Sequence, residues 1–568
     1  MKVKIIICFC FFLLLIYFFA VFKTNFSGPD QPIYYAYTES VVEDSDLNVV
    51  NNMHFNHDDD YRPPESMRVS KTYNYPDFHN HGGVLLWVPF YVYGKFMYFL
   101  SERLNWIEEP VFDFKDFTKC ALSFSNVIFG FLVLILTYWF CSFFFSAKLS
   151  FFSTLAICFG TPFFYYLLFE TGNAQITATF FSIISILAIN YIIKMGKWHW
   201  FIYGLFFGIC IVVKVDLWFQ IFFIVSLFLV FISLKKTKLV NSIFFLLGVC
   251  PPFLLKAIND YIKYGSFHLG EIGVLSLKNS YLWEMLFSSY RGYFYSSPIF
   301  YICLFGFMVA GVYFLKNFKN LNNKKNLDNH QTKNIFIFTL GFYLVVKIII
   351  ISYNYAWGGG SPGARLLLTE FPIFVILYAY VLQLQKRRFA RYFLSFVSII
   401  FIFWNLLIIS EYITGVDLSY VFFRPGLSMR LQSLKKILIY LFNYRDLGLK
   451  LFLFFLPILI ILCIFFYLKI FKKCGKEILF KIFVLFTFFL NVSYGYVTFL
   501  NIFNNKDNVE RMKENEFFKS ANILAPKDFE RRENIGAMNE MIEYFTLKGD
   551  FERASRIEKQ KERMYRSE

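Results

Sequence analysis

The sequence predicts an all-α polytopic membrane protein with about 13 transmembrane helices. Residues of the types A, V, I, L, M, F, W, Y and C make up 57% of its 568 positions, and charged residues make up only 17%. Soluble domains have about 45–50% apolar and about 25% charged residues. Apolar runs such as 5–22 and 217–234 reach the roughly 18–20 residues that a bilayer-spanning helix requires. A single soluble domain is therefore excluded.

Thirteen apolar runs are candidates for these helices. The first, 5–22, has no small-residue cleavage site after it, which favours an uncleaved first span over a signal peptide. The N-terminus is then expected in the cytoplasm, and an odd number of spans places the C-terminus outside. The other runs lie at 121–146, 150–169, 174–193, 199–214, 217–234, 239–257, 298–315, 334–352, 368–385, 392–410, 449–468 and 478–501.

The net charge of +17 supports this orientation when it is divided among the connectors. Cytoplasmic connectors are enriched in Lys and Arg, and every second connector after the first span is basic. Residues 24–118, by contrast, carry 6 basic and 15 acidic side chains. Nucleic-acid binding is not expected, because the positive charge sits in short clusters between apolar runs. The basic connectors hold Lys148; Lys194 and Lys197; Lys235, Lys236 and Lys238; Lys316 to Lys333; Lys386, Arg387, Arg388 and Arg391; and Lys469, Lys472, Lys473 and Lys476.

This pattern divides the chain into a transmembrane domain over 1–502 and an external helical tail over 503–568. The large first external loop, 24–118, contains the apolar stretch Val84–Leu100, which Pro89 interrupts. We interpret that stretch as a juxtamembrane helix, because a span there would invert every later connector and place the lysines outside. The tail is charged and helix-prone, and its end is expected to form a small helical hairpin.

The most informative stretch follows the first span directly, as Gly28-Pro29-Asp30-Gln31-Pro32. An acidic side chain next to hydrocarbon is costly and marks a candidate for function. The alternative is structural, because Asp often precedes a helix and caps its first turn. A helix that starts at Gln31 or Pro32 would make Asp30 such a cap. The sequence leaves both interpretations open.

Four blocks of residues stand in the order of the motifs of a known family. They are Asp30-Gln31-Pro32 with Tyr35, Ser40-Val41-Val42, Asp44-Ser45-Asp46-Leu47 and Asn51-Asn52; His81-Gly82-Gly83 to Tyr91; Asn259-Asp260-Tyr261 to Ser266 with Leu286 to Pro298; and Trp357-Gly358-Gly359-Gly360-Ser361-Pro362-Gly363-Ala364-Arg365. Together they resemble the bacterial membrane glycosyltransferases of the GT-C superfamily, relatives of the protein O-mannosyltransferases and of the lipid A aminoarabinose transferases. The resemblance covers residues 28–372. Gln31 and Ala364 depart from the family pattern, which has a second acidic residue and a proline there.

The resemblance implies that a sugar moves from a polyprenyl-phosphate donor to a glycan, lipid or protein acceptor outside the membrane, with inversion at the anomeric carbon. Asp30 would be the general base that takes the proton of the acceptor hydroxyl. Arg291, Arg365 and Lys214 would bind the donor phosphate, since guanidinium groups suit bidentate phosphate contacts. The remaining substrate-binding candidates are Glu170, Tyr35 and Asp46.

Several of these candidates also have a plainer interpretation. Arg291 and Arg365 could anchor the protein at the headgroup layer, and Lys214 could pair with Asp216 in a loop. Glu170 could be an exposed loop residue. The stretch from Glu170 stands where relatives often carry His or Glu, so the sequence does not define the partner of the base.

The sequence makes no cofactor certain and leaves dependence on a divalent cation open. The histidines and aspartates of the first external loop could bind one, but their spacing matches no defined metal site and is typical of a solvated acidic loop. The ten cysteines lie almost entirely in apolar runs, so neither a disulfide framework nor a cysteine-based metal site is expected. The loop candidates are His54, His57, Asp58, Asp59, Asp60, His79 and His81.

Two other classes of function fit a polytopic protein. A transporter or flippase of lipid-linked saccharides would have similar spans, but no internal repeat is visible and few charges fall inside the apolar runs. A membrane scaffold that acts through its tail would give Asp30 and the two arginines no role. We therefore expect an enzyme of the bacterial inner membrane, surrounded by lipid, with its site on the periplasmic or outer face.

Overall fold

The computed structural model is nearly all helical. It describes residues 30–56, 68–70, 79–104, 113–193, 195–233, 238–266, 280–288, 291–321, 329–354, 361–363, 365–414, 427–443, 476–514, 522–524 and 551–566, with the single residues 8, 12, 72, 74, 538, 539, 542 and 546.

The helices are numbered here in chain order. The first half of the chain holds α1 (Gln31–Glu39), α2 (Val50–Asn56), α3 (Val84–Leu104), α4 (Phe114–Cys141), α5 (Ala147–Gly160), α6 (Phe163–Leu168), α7 (Ala174–Ile192), α8 (Lys197–Val213), α9 (Gln220–Ser233) and α10 (Val240–Tyr264). The second half holds α11 (Leu282–Phe287), α12 (Tyr293–Ser296), α13 (Ile299–Leu321), α14 (Asn329–Ile351), α15 (Phe371–Leu384), α16 (Arg388–Ile413), α17 (Leu427–Asn443), α18 (Lys476–Glu514) and α19 (Phe551–Arg566).

Among the described residues, nine helices are long and apolar enough to cross a membrane. Three shorter apolar helices are α5, α8, and α9 with the turn before it. Two of the thirteen expected spans, 5–22 and 449–468, lie outside the described residues, except for Cys8 and Phe12 in the first. The nine long helices are α3 with its preceding turn, α4, α7, α10, α13, α14, α15 with its preceding turn, α16, and the part of α18 over Phe480–Asn505.

Contacts at one end of the bundle join the connectors that the sequence marks as basic. Lys333 Nζ, at the start of α14, donates to the carbonyl oxygen of Phe144 at 2.7 Å and to Oε1 of Gln383 at 2.6 Å. These contacts bring together the ends of α4, α14 and α15. The ends of α7, α8 and α18 meet in the same way, where the rings of His199 and Phe480 lie 4.8 Å apart.

The opposite end carries α1, α3 and the beginning of α4. Helix α3 runs antiparallel to α4 at close range, because a side chain at Gly94 would overlap the backbone of Thr118. Further along α4, Asn126 Nδ2 donates to the carbonyl oxygen of Asn173 at 3.3 Å, at the point where α7 begins. Helix α3 lies beside the first half of α4, from Phe114, whose ring is 5.7 Å from that of Tyr98, to Phe129, whose ring is 5.9 Å from that of Phe90.

The tail is joined to the first loop by a small sheet. Strand β1 (Arg68–Ser70) pairs in parallel with β2 (Asn522–Leu524), with Val69 opposite Ile523. Helix α19 also contacts the bundle, through an ion pair between Arg553 and Glu284 of α11. The tail therefore lies at the same end of the molecule as the first loop. Only parts of the expected hairpin over 538–562 fall within the described residues.

One ion pair lies fully inside the bundle. Lys347 Nζ of α14 is 2.8 Å from Glu370 Oε1, and both side chains are 0% exposed. Tyr343 donates to the same oxygen at 2.8 Å, and Lys347 also donates to Thr369 Oγ1 at 2.8 Å. A buried charge is stable only with such partners. The network fixes the 3₁₀ helix Arg365–Glu370 against α14.

Candidate active site

Asp30 is the N-cap residue of α1, and it is buried, as is every residue of that helix. An N-cap aspartate usually accepts a hydrogen bond from its own first turn. Asp30 makes no such side-chain bond. The carboxylate instead contacts side chains from other parts of the chain. The position of Asp30 directly before α1 thus fits the capping interpretation. The contacts of its side chain do not fit that interpretation.

Three side chains from distant segments contact the Asp30 carboxylate. Arg365 forms an ion pair with Oδ2. His79 Nε2 lies 3.3 Å from Oδ1, and Asn173 Nδ2 donates to Oδ2 at 3.4 Å. Burial alone would raise the pKa of Asp30, but the charges of Arg365, His79 and Lys214 outweigh it and hold that pKa well below its usual range. Asp30 is therefore an ionised carboxylate in a cationic surrounding.

Buried amide groups hold the segments around Asp30 in place. Gln31 Nε2, the next residue along α1, donates to the carbonyl oxygen of Thr171 at 2.7 Å. On the other side, the ring of His79 packs edge-on against Tyr34, with centroids 5.1 Å apart. Buried polar groups of this kind are costly to leave without partners, so they specify one arrangement. The glutamine that departs from the family pattern thus has a structural role here.

Arg365 and Arg291 lie in neighbouring loops. Gly363, two residues before Arg365, has φ +109°, a conformation that favours glycine. Its Cβ position would lie 3.6 Å from the carbonyl oxygen of Arg291 and would overlap Ser296 of α12. Arg291 itself has φ +59°, which is uncommon for a residue with a side chain. The two arginine loops are therefore in direct contact.

Lys214 and Glu170 border the same region. Lys214 ends α8, is almost fully buried, and lies 3.5 Å from Asp216 Oδ2. It is also one of the cations that lower the pKa of Asp30. Glu170 accepts a hydrogen bond from Tyr165 at 2.8 Å, in the loop that leads to Asn173. Lys214 therefore pairs with Asp216, as its plainer interpretation has it, and still acts on the Asp30 carboxylate.

The structure places Tyr35 and Asp46 away from these contacts. Tyr35 is buried between helices, where its hydroxyl lies 2.7 Å from Thr118 Oγ1. Asp46 accepts hydrogen bonds from Ser40 Oγ at 2.6 Å and from the backbone of Asn48 at 3.0 Å. The contacts of Asp46 shape the loop after α1. Neither residue is joined to Asp30 by a described contact.

The described residues contain no group of three or more His, Cys, Asp or Glu that could hold a metal ion. Of the candidate ligands, His79 contacts Asp30, whereas His81 Nε2 lies 2.9 Å from the hydroxyl of Tyr494 on α18. The segment His57 to Asp60 and the side chain of His54 lie outside what the structure describes. The structure therefore assigns the two described histidines to different neighbourhoods.

An apolar cavity begins next to the arginine loops. It measures about 40 Å³, and it lies between α13, α14 and α15. Its wall includes Tyr293 and Phe294, which follow Arg291 closely, and Leu367, two residues after Arg365. The site thus combines a carboxylate, several cations and an adjacent apolar space.

Sequence reasoning missed His79 and Asn173 as neighbours of Asp30. Asn173 ends the stretch Glu170-Thr171-Gly172-Asn173, which stands where relatives of the resembled family often carry His or Glu, so the sequence contains a signal for it. The sequence marks His79 only as a candidate metal ligand, and nothing in its spacing points to Asp30.

No protein-family model matches the chain, and neither a curated protein nor a solved structure matches it.

Proposed function

We propose that the protein is an inverting glycosyltransferase that moves a sugar from a polyprenyl-phosphate donor to an acceptor hydroxyl of a glycan, lipid or protein. The observation that carries this proposal is the contact of a buried, ionised carboxylate with Arg365, in a loop that touches the loop of Arg291. A base for the acceptor and a cation for a phosphate leaving group are thus in contact, and a second arginine lies in the adjoining loop.

The chemistry needs one proton acceptor and one stabilised leaving group. The acceptor oxygen bonds to the anomeric carbon while the bond from that carbon to the phosphate oxygen breaks. The bonding electrons leave with the phosphate, where Arg365 and Arg291 offset the growing negative charge. The hydroxyl proton passes to Asp30, and attack from the side opposite the phosphate inverts the configuration. No metal ion is required for this balance.

The apolar cavity supports a lipid-linked donor. An isoprenoid chain must be sheltered in apolar surroundings, and its phosphate must remain near cations. The cavity is apolar, and Leu367 and Tyr293 of its wall lie close in the chain to Arg365 and Arg291. At about 40 Å³ it is smaller than an isoprenoid chain, so we propose that only the carbons nearest the phosphate pack at its mouth.

The helices support a count of thirteen spans. We assign α3 to a juxtamembrane position and not to a span, because a span there would place the basic connectors outside. The eight other long helices and the three shorter ones then make eleven spans, and 5–22 and 449–468 complete the set. We propose that the basic end of the bundle faces the cytoplasm of a bacterial cell and that Asp30 faces the periplasm or outside.

The test is complementation of cells that lack the protein, with mass spectrometry of their surface glycans. The change Asp30→Asn removes the base, and the transfer rate should fall by about 10²–10⁴. Glu43→Gln is the control, because it removes a charge from the same loop at a half-exposed ion pair with Lys95. Full restoration by Asp30→Asn at a normal protein level would contradict the base assignment. Saccharide flux without a new glycan would indicate a transporter.

A further inference from the structure

We propose that Asp30 and the donor phosphate compete for Arg365, so that the base is released only when the donor is bound. In the ligand-free protein Arg365 forms an ion pair with the Asp30 carboxylate. When the donor binds, its phosphate replaces the carboxylate as the partner of Arg365. This inference rests on the proposed function and deepens it, because it sets the order in which the substrates act.

The carboxylate keeps partners when Arg365 leaves it. His79 Nε2 and Asn173 Nδ2 lie 3.3 and 3.4 Å from its two oxygens. A buried carboxylate that lost every partner would be strongly destabilised, and the exchange would then be too costly. With His79 and Asn173 in place, Asp30 stays positioned while its strongest ion pair is exchanged.

Arg365 and His79 are the partly exposed partners of the Asp30 carboxylate, with side chains 16% and 17% exposed. By contrast, Lys347, which pairs with Glu370 at the other end of the 3₁₀ helix, is fully enclosed. The Arg291 loop lies against Gly363, and the apolar cavity starts at Leu367. A phosphate whose lipid enters that cavity therefore arrives within reach of the guanidinium.

The exchange is favourable for the reaction. A phosphate can accept two parallel hydrogen bonds from a guanidinium, as a carboxylate can, so one charge-assisted contact replaces another. The phosphate gains a further negative charge when the sugar leaves, which strengthens its hold on Arg365. Without this arginine, the pKa of Asp30 moves up toward its usual range, because a major cause of its depression is gone. The carboxylate then becomes the stronger base when it is needed.

The experiment measures binding of farnesyl phosphate, a short polyprenyl phosphate without sugar, to the purified full-length protein in detergent. Asp30→Asn should tighten binding about tenfold, because the arginine no longer has a competing carboxylate. The same change made in an Arg365→Gln background should alter the affinity less than about twofold. This double-mutant cycle separates competition for Arg365 from general charge repulsion.

Two controls keep the result interpretable. Glu43→Gln removes a carboxylate elsewhere in the loop and should leave affinity unchanged, and farnesol, which lacks the phosphate, should bind all variants alike. Asp30→Ser serves as a second variant if Asp30→Asn does not fold, because Ser is also favoured at an N-cap.

The outcomes distinguish this inference from the proposed function. Equal affinity in wild type and Asp30→Asn, or equal tightening with and without Arg365, overturns the competition and leaves the transferase proposal standing. Failure of farnesyl phosphate to bind the wild type and every variant overturns both, because the cations would then not form a phosphate site.

Discussion

The 3₁₀ helix Arg365–Glu370 has an ion pair at each end, and the two pairs differ in their access to ligands. Arg365 pairs with Asp30, and the two side chains are 16% and 11% exposed. Glu370 pairs with Lys347, and both are 0% exposed. Arg365 and Glu370 are only five positions apart, yet one belongs to a partly exposed ion pair and the other to a fully enclosed one.

This difference indicates that the two ion pairs have different roles. The enclosed pair, with Tyr343 and Thr369, holds the short helix in a fixed position inside apolar surroundings. The accessible pair uses that fixed position to present a cation and a carboxylate at the end of the bundle. A fully buried ion pair is costly to break, whereas an ion pair that solvent can reach contributes less to stability. The structure combines one of each on a single element.

The largest effect is expected from breaking the enclosed pair. Lys347→Met leaves the Glu370 carboxylate buried without its cation, which should cost about 3–5 kcal/mol and greatly reduce the yield of folded protein. The double variant Lys347→Met with Glu370→Gln should recover most of that stability, because no charge remains buried. Thermal unfolding in detergent measures both. Equal loss in the single and double variants would assign the effect to packing and not to charge.

A moderate effect is expected where the accessible arginine is positioned. Gly363→Ala places a side chain at φ +109° and against Ser296, which should cost about 1–3 kcal/mol and weaken binding of farnesyl phosphate by displacing Arg365. Gly196→Ala is the matched control, because its added methyl group meets nothing within 4 Å. Unchanged binding in Gly363→Ala would separate the glycine from the site.

The smallest effect is expected at the exposed pair of the first loop. Lys95 Nζ lies 2.7 Å from Glu43 Oε1, with side chains 38% and 34% exposed. Solvated ion pairs contribute about 0–1 kcal/mol, so Lys95→Gln should change the midpoint of thermal unfolding little and leave transfer unchanged. A loss of stability as large as that of Lys347→Met would show that solvent exposure does not determine how much each ion pair contributes to stability.

The helical character could be predicted from sequence because apolar length alone specifies it. The runs over 121–146 and 174–193, for example, correspond to α4 and α7, with ends shifted by up to seven residues in α4 and by one in α7. The position of the stretch Val84–Leu100 relative to the membrane is harder to predict, because α3 is long and apolar enough to span a membrane. Its close packing beside the first part of α4, through Gly94, depends on tertiary contacts that hydropathy does not contain.

The candidate site was predictable in its carboxylate and its arginine but not in the amide and the imidazole that also contact the carboxylate. Asp30 and Arg365 stand out as isolated charges beside apolar runs, and the structure brings them into contact. Asn173 and His79 contact the carboxylate across 143 and 49 positions of the chain. An amide or imidazole in a loop has many ordinary roles, so its sequence context does not select this one. Tyr35 had a motif context, yet its hydroxyl faces Thr118.

The pairing of β1 with β2 links the order of synthesis to the completion of the outer surface. Strand β1 is made early, and its partner follows about 450 positions later, after nearly all the apolar helices. The backbone groups of β1 that pair with β2 therefore have no strand partner until the last apolar helix and the tail have been synthesised. A shortened or bulky C-terminus would consequently disturb the pairing of β1, which lies near the beginning of the chain and far in sequence from the alteration.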